Sequence, residues 1–270
     1  MNISKMSAYR KLHPTFPSEN CVFTCRETNV NFIQNVGITT LEKNIEHKII
    51  NSIENEVPLT MTRYNDGEWI ALLKLNAAGN YTKMCNLIKE NGIQFVDNKM
   101  MPIIKSRPNY YIGISSQTLK HTWIMDKAIP FIHGLQLYDG GIFSRWIVEC
   151  QLKNFIEVIK DKEIIIVGPK YLKDLTIFHN FTLIDTGDHT ASWNEYERIK
   201  FETFNAIKNI KNNIPIVLYC ASFVGKVIID DVYNDINNII QFDLGSALDN
   251  FVLEYGSRSW HYGINSQQTN

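Results

Sequence analysis

The sequence predicts an α/β fold, a Rossmann-like, doubly wound and mostly parallel sheet with helices on both faces. Short all-apolar runs, at residues 164–167 and 216–219, are typical of strands that are covered on both sides. Segments with apolar residues at helical spacing alternate with these runs. Turn residues such as Gly168 and Pro169 follow the runs, as expected where a strand gives way to a helix.

The same patterns place the elements in order along the chain. β-branched and aromatic runs predict strands at residues 57–62, 110–114, 164–167, 182–184, 216–219 and 239–242. Helical spacing predicts helices at residues 41–53, 69–75, 144–159, 193–210, 221–232 (after a short loop) and 248–255. Residues 1–35 are expected to be irregular because Pro14 and Pro17 interrupt any helix. Residues 36–262 then form a single domain, and residues 263–270 a polar tail.

Composition narrows the class of protein. The chain has 270 residues, of which 44% are hydrophobic, and its net charge is −1. The chain has no excess of basic residues that would indicate binding to nucleic acid. No apolar run approaches the roughly 20 residues of a membrane span. The five cysteines are scattered and no secretory signal precedes them, so we expect reduced thiols and a cytoplasmic protein without a transmembrane segment. Cys21 and Cys25 lack the further ligands that a zinc site needs. The oligomeric state is left open.

Ligands of doubly wound sheets bind at the carboxyl ends of the strands. This rule selects five segments in the sequence, at residues 63–68, 113–116, 168–170, 221–226 and 243–249.

The first of these segments contains two carboxylates on either side of a glycine. Asp66 and Glu68 would repel each other unless a cation joined them, and Mg²⁺ or Mn²⁺ takes carboxylate and phosphate oxygens as ligands. Arg63 would bind a phosphate oxygen or orient one carboxylate. From spacing alone, the alternative is stronger: acidic residues commonly cap a helix and favour its positive end.

The segment Arg63-Tyr64-Asn65-Asp66-Gly67-Glu68 resembles the R-F-G-D-G-E motif of the GT-D-type glycosyltransferases. Asn65 replaces the usual glycine, and Asn is the residue that best imitates glycine in left-handed turns. Shorter similarities follow in the family's order, at residues 113–114, 143–145, 164–168 and 242–246. Together they touch most of residues 55–262.

The resemblance implies a Rossmann-like domain whose D-x-E pair holds a metal on a nucleotide-sugar diphosphate. Asp66 and Glu68 would then bind Mn²⁺ or Mg²⁺, while Arg63 and Arg145 offset charge on the departing nucleotide. The expected activity is transfer of a hexosyl or pentosyl group from a nucleotide-sugar, expected to be a UDP-sugar, to a glycan or glycosylated acceptor. Asp188, in a polar loop with His189, is the candidate catalytic base, and a solvent-exposed turn is the alternative there.

The remaining candidates would contact the donor nucleotide. They are Gly113, Gly168, Lys170, Ser222, Lys226, Asp243, Gly245 and Arg258. Plain strand-to-helix turns are the alternative for Gly168 and Lys170, and a solvated helix face is the alternative for Arg145. Arg258 and His261 would otherwise belong to a frayed tail. Cys220 is expected to be a buried, inert thiol.

Two other functions compete with glycosyl transfer. An NAD- or S-adenosylmethionine-dependent enzyme would share the fold, but the glycine-rich fingerprint of dinucleotide binding is missing from the sequence. A catalytically silent nucleotide- or glycan-binding module would bind UDP without transferring a sugar.

Overall fold

A computed structural model of the chain describes residues 42, 44–75, 92–115, 118, 121–148, 152–187, 192–211 and 213–253. These residues form one sheet of seven strands. The strands are β1 Leu59–Tyr64, β2 Tyr110–Ile114, β3 Leu137–Asp139, β4 Ile164–Gly168, β5 Phe181–Asp185, β6 Ile216–Tyr219 and β7 Ile240–Asp243.

Every pair of neighbouring strands is parallel, and the order across the sheet is β3-β2-β1-β7-β6-β4-β5. The predicted doubly wound fold is therefore confirmed, with a sheet that is wholly parallel among the described strands. All residues of β1, β4, β6 and β7 are buried, and for β4 and β6 the all-apolar runs predicted this.

Seven α-helices of seven or more residues accompany the strands in the described ranges. They are α1 Ile45–Glu54, α2 Asp66–Leu72, α3 Thr122–Ile132, α4 Ile142–Val148, α5 Leu152–Ile159, α6 Tyr196–Asn209 and α7 Ser222–Asp235. Shorter turns are Ile93–Phe95, the π-helical Val96–Met100, and the 3-10 turns Met101–Ile103, Lys170–Asp174, Ser192–Glu195 and Asp249–Phe251. Of these described helices, none has the length and apolar character needed to span a bilayer.

The helices pack on both faces of the sheet, as predicted. One core lies between the sheet and α2, α3, α6 and α7, which contribute Ile70, Met125, Ile199 and Val227. The other lies between the sheet and α1, α4 and α5, through Ile49, Phe143 and Phe155. Alternate residues of each strand enter opposite cores, because successive side chains of a strand point to opposite faces.

Several element predictions were wrong in detail. The sequence did not indicate β3, which has only three residues, or α3, which contains Pro130 where helix rules exclude proline. The helix predicted at residues 248–255 is a 3-10 turn, Asp249–Phe251, within the part of that range that the structure describes. The helix predicted to begin at residue 144 begins two residues earlier, at Ile142.

The strand order changes direction between β1 and β7, which is where a doubly wound sheet is expected to have its ligand-binding crevice. After β1 the chain continues into α2, whose Trp69 and Ile70 lie in the first core. After β7 it turns to the opposite face, where Leu248 and Phe251 join the second core. The segments that follow β1 and β7 therefore pack on opposite faces of the sheet. Doubly wound proteins bind ligands where adjacent strands are followed in this way.

Candidate functional site

Arg63 and Asp243 meet at the carboxyl ends of β1 and β7. The backbone N–H of Arg63 donates to Asp243 Oδ2 at 3.3 Å, and Arg63 Nε lies 3.7 Å from Asp243 Oδ1. Asp243 Oδ1 also accepts the N–H of Gly245 at 3.1 Å. Two residues of the predicted site are therefore paired inside the crevice.

Lys226 brings a second carboxylate to the same place. From the second turn of α7, its Nζ lies 2.9 Å from Glu68 Oε1 and 3.0 Å from Asp243 Oδ2. Arg63, Glu68, Lys226 and Asp243 are all less than 9% exposed. We call these four residues the charge cluster. It contains two cations and two carboxylates, so its formal charge is balanced.

The cluster keeps its members charged. Burial alone would raise the pKa of Glu68, but Lys226 and Arg63 outweigh it and hold that pKa below its ordinary value. Burial alone would lower the pKa of Lys226, but Asp243 and Glu68 outweigh it and raise that pKa above its ordinary value. Lys226 is therefore an ammonium ion at neutral pH and cannot serve as a base.

The guanidinium of Arg63 makes few hydrogen bonds for a buried group. Nη1 donates to the carbonyl oxygen of Gly140 at 3.5 Å, and Nε has no hydrogen-bond acceptor among the described residues. Gly245 lies against it with a φ of +56°, and a Cβ there would be 1.5 Å from Arg63 Nη2. Glycine is required at that position. The turn after β7 thus packs against a buried cation with one donor, Nε, that has no acceptor in the described part of the chain.

The N-terminus of α7 faces the same edge. Ser222 is exposed and has a φ of +47°, a conformation that residues with a side chain rarely adopt. The first N–H groups of a helix have no acceptor within it, and they carry partial positive charge. Lys226 Nζ donates to the carbonyl oxygen of Ser222 at 3.2 Å, which ties this terminus to the charge cluster.

The motif turn has the geometry of a helix start. Asn65 is extended, with a φ of −90°, so no left-handed conformation is needed where the family has glycine. Glu68 Oε2 accepts the N–H of Asn65 at 3.1 Å, and Asp66 Oδ1 accepts that of Gly67 at 2.9 Å. The helix-capping alternative considered for this motif is therefore observed for Glu68.

Side chains in these positions do not fit a divalent cation held between Asp66 and Glu68. Both oxygens of Glu68 already accept hydrogen bonds, one of them from an ammonium group. At an effective dielectric constant of about 20, a divalent ion about 4 Å from that ammonium is repelled by roughly 8 kcal/mol. Among the described residues, no group of three or more His, Cys, Asp or Glu is arranged to bind a metal.

Arg145 is committed to other partners. Its guanidinium pairs with Asp139 at the end of β3 and with Glu46 Oε1 of α1, the latter at 2.9 Å. Burial would lower its pKa, but the two carboxylates raise it. The side chain is 9% exposed, so it does not lie on a solvated helix face. The structure also does not support the predicted role of Arg145 on a diphosphate.

Two predicted glycines have packing roles. A Cβ on Gly113 would lie 2.5 Å from the ring of Tyr138, and a Cβ on Gly168 would lie 2.7 Å from Leu172. Both glycines are therefore needed for close packing inside the protein. Lys170 is exposed in the 3-10 turn that follows β4.

Other predicted residues are inert or lie outside the described ranges. Cys220 is buried, and burial raises the pKa of its thiol well above the ordinary value, so the expected unreactive thiol is supported. Asp188 and Arg258 lie outside the described residues, as do His189 and His261.

The sequence reasoning missed Asp139, Glu46 and Tyr138. The hydroxyl of Tyr138 is buried and has no hydrogen-bond partner within the described ranges, and its pKa is raised mainly by burial and also by Asp243. The Asp139-Gly140-Gly141 turn was the available signal, because it has the composition of a strand end.

An open groove of about 280 Å³ lies elsewhere, between the edge strand β5 and α6. Its lining includes Glu163, Thr182 and Glu202, and every lining residue is in the described part of the chain; none is Lys, Arg or His. A groove without a cation is a poor site for phosphate. The crevice between β1 and β7 remains the better candidate.

The charge on Glu68 predicts a specific pH dependence. Because its pKa is lowered on folding, its contribution to stability is present above the ordinary value of 4.5 and is lost as the pH falls through the lowered pKa. The free energy of unfolding of the wild type should exceed that of Glu68→Gln at neutral pH. We expect this difference to shrink below pH 4.5, as measured by urea denaturation.

Glu54→Gln is the matched control, since Glu54 is an exposed glutamate on α1. It should change stability little at either pH. A Glu68→Gln difference that stays constant or grows in acid would contradict the assignment of a charged, paired Glu68.

Comparison with protein-family models, with curated proteins and with solved structures gave no match to this chain.

Proposed function

We propose that the chain is a glycosyltransferase that moves a sugar from a nucleotide-sugar, expected to be a UDP-sugar, to a glycan or glycosylated acceptor. One observation carries the proposal: at the carboxyl ends of β1 and β7, Nε of the buried Arg63 has no hydrogen-bond acceptor among the described residues. Asp243 Oδ1 lies 3.7 Å from this Nε, an ion pair that is too long for a hydrogen bond. A charge-assisted hydrogen bond from Nε to an anionic ligand is therefore available, and a diphosphate is the anion that nucleotide-sugars present.

Two further features support a diphosphate ligand. The N-terminus of α7 follows β6, the neighbour of β7, and the first turn of a helix attracts phosphate oxygens. Lys226 and Arg63 together balance Glu68 and Asp243, so the charge cluster adds no net negative charge against an incoming anion. The motif resemblance at residues 63–68 directs the choice from nucleotides in general to nucleotide-sugars.

Arg63 has a defined role in this proposal. As the bond from the sugar to the diphosphate breaks, negative charge grows on the departing nucleotide. A fixed guanidinium stabilises that charge without reorganisation of solvent. Asp188 remains the predicted base that would take the acceptor proton.

Binding of UDP tests the proposal. The charge-assisted hydrogen bonds of Arg63 are worth about 1.5–3 kcal/mol, so Arg63→Gln should weaken UDP binding by roughly 10- to 100-fold. Isothermal titration calorimetry measures the Kd, and release of UDP from UDP-sugars in the presence of glycan acceptors measures transfer.

Arg198→Gln is the control, because Arg198 is half exposed on α6, beside the edge strand β5. It should leave the Kd for UDP unchanged. Stabilisation by NAD or S-adenosylmethionine and not by UDP, in a thermal-shift screen, would replace the proposal with the competing enzyme class. UDP binding without transfer to any acceptor would favour the silent module.

A further inference from the structure

Lys226 lies where two carboxylates from different elements converge. Glu68 comes from the first turn of α2 and Asp243 from the end of β7, and Lys226 Nζ is 2.9 Å and 3.0 Å from their oxygens. A cation that joins carboxylates beside a phosphate site is the arrangement for which many enzymes use Mg²⁺. Here the chain itself supplies the cation.

The ammonium group is fully coordinated. An ammonium has three N–H donors, and Lys226 directs them to Glu68, to Asp243 and to the carbonyl oxygen of Ser222 at 3.2 Å. The residue is 2% exposed, so the side chain has no room to swing aside without disturbing its surroundings. The carboxylates are equally committed, because Glu68 Oε2 and Asp243 Oδ1 accept backbone N–H groups.

We propose that Lys226 takes the place of a divalent cation, so that the crevice binds its diphosphate ligand without metal. This inference rests on the proposed function for the identity of the ligand. It departs from the Mn²⁺ or Mg²⁺ dependence that the resemblance implies. Lys226 is a positioning residue: its ammonium group joins Glu68 to Asp243 and offsets one of their two charges, and Arg63 contacts the phosphate oxygens.

Removal of the Lys226 side chain would leave two buried carboxylates without the ammonium group that joins them. In Lys226→Ala, Glu68 and Asp243 face each other across the space that the lysine side chain leaves. Two carboxylates with room for water are suitable ligands for Mn²⁺. The variant should therefore gain a metal site that the wild type does not have.

The experiment measures Mn²⁺ binding by electron paramagnetic resonance, and UDP binding by calorimetry in EDTA or in Mn²⁺. For the wild type we expect no bound Mn²⁺ and the same Kd for UDP in both buffers. A wild type that binds one Mn²⁺ per chain, with loss of that ion in Glu68→Gln, overturns the inference. A Kd at least about tenfold weaker in EDTA also overturns it.

UDP binding in the two buffers distinguishes failure of metal-free binding from failure of the proposed function. If UDP binds only with Mn²⁺, the inference fails and the proposed function stands. If UDP binds in neither buffer, the proposed function fails, and the Mn²⁺ titration alone decides whether Lys226 excludes a metal.

Lys226→Ala should bind one Mn²⁺ and show a rise in melting temperature with it. Lys200→Ala is the control, because it removes a lysine 3.2 Å from Asp231, outside the crevice, and should gain no metal. If Lys226→Ala does not fold, the wild-type measurements still decide. A folded Lys226→Ala that gains no Mn²⁺ counts against the inference.

Discussion

Replacing Gly245 by alanine is expected to destabilise the protein by roughly 3–6 kcal/mol. The left-handed backbone, with a φ of +56°, costs about 1–2 kcal/mol for a residue with a Cβ. The new Cβ would also lie 1.5 Å from Arg63 Nη2, so the guanidinium must leave its buried position beside Asp243. Disrupting a buried ion pair adds a cost of several kcal/mol. Urea denaturation measures the total.

Gly134→Ala is the matched control for this prediction. Gly134 also has a positive φ, +77°, but a Cβ there meets nothing within 4 Å. It should therefore show the backbone cost of about 1–2 kcal/mol alone. Equal losses in the two variants would show that Arg63 does not press against Gly245. Gly245→Ala should also weaken UDP binding, whereas Gly134→Ala should not.

Replacing Lys226 by methionine is expected to cost about 3–5 kcal/mol, because Glu68 and Asp243 stay buried without their cation. Methionine fills a similar volume, so the loss reports charge more than packing. The melting temperature should fall by on the order of 10 °C in differential scanning calorimetry.

Two comparisons sharpen the Lys226→Met result. Lys162→Met removes a lysine whose partner, Glu56, is 3.4 Å away at the surface, and it should change the melting temperature little. Adding Glu68→Gln to Lys226→Met removes one of the two carboxylates that have lost their cation. This double substitution should recover part of the lost stability. A double variant that is less stable than Lys226→Met would contradict the pairing.

Most strands, and the candidate residues at their carboxyl ends, could be predicted from sequence because local patterns mark both. All-apolar runs such as residues 164–167 mark strands covered on both sides, and parallel strands bring their carboxyl ends to one edge. That is why Arg63, Ser222 and Asp243 were selected together. The glycine at 245 was selected as well, although its contact with Arg63 was not foreseen.

The pairing of charges could not be predicted, because partners far apart in the chain leave no local pattern. Arg145 and Glu46 are separated by 99 positions, and nothing near either residue indicates the other. Likewise, Asp66-Gly67-Glu68 indicates a metal site only while Lys226 is ignored. β3 was not predicted for a different reason: its three residues are too few to show a hydrophobic period.

The strand order also affects how the chain folds. β7 is the last described strand in sequence, yet it lies in the middle of the sheet and joins β1 to β6. Arg63 must therefore find Asp243 across a separation of 180 positions. Contacts between such distant residues form late and slowly, because the chain loses entropy when the loop closes, before the contact stabilises the structure. Before then, the β1–β3 and β4–β6 halves each expose an unpaired inner edge, which is the kind of surface that chaperones cover during synthesis.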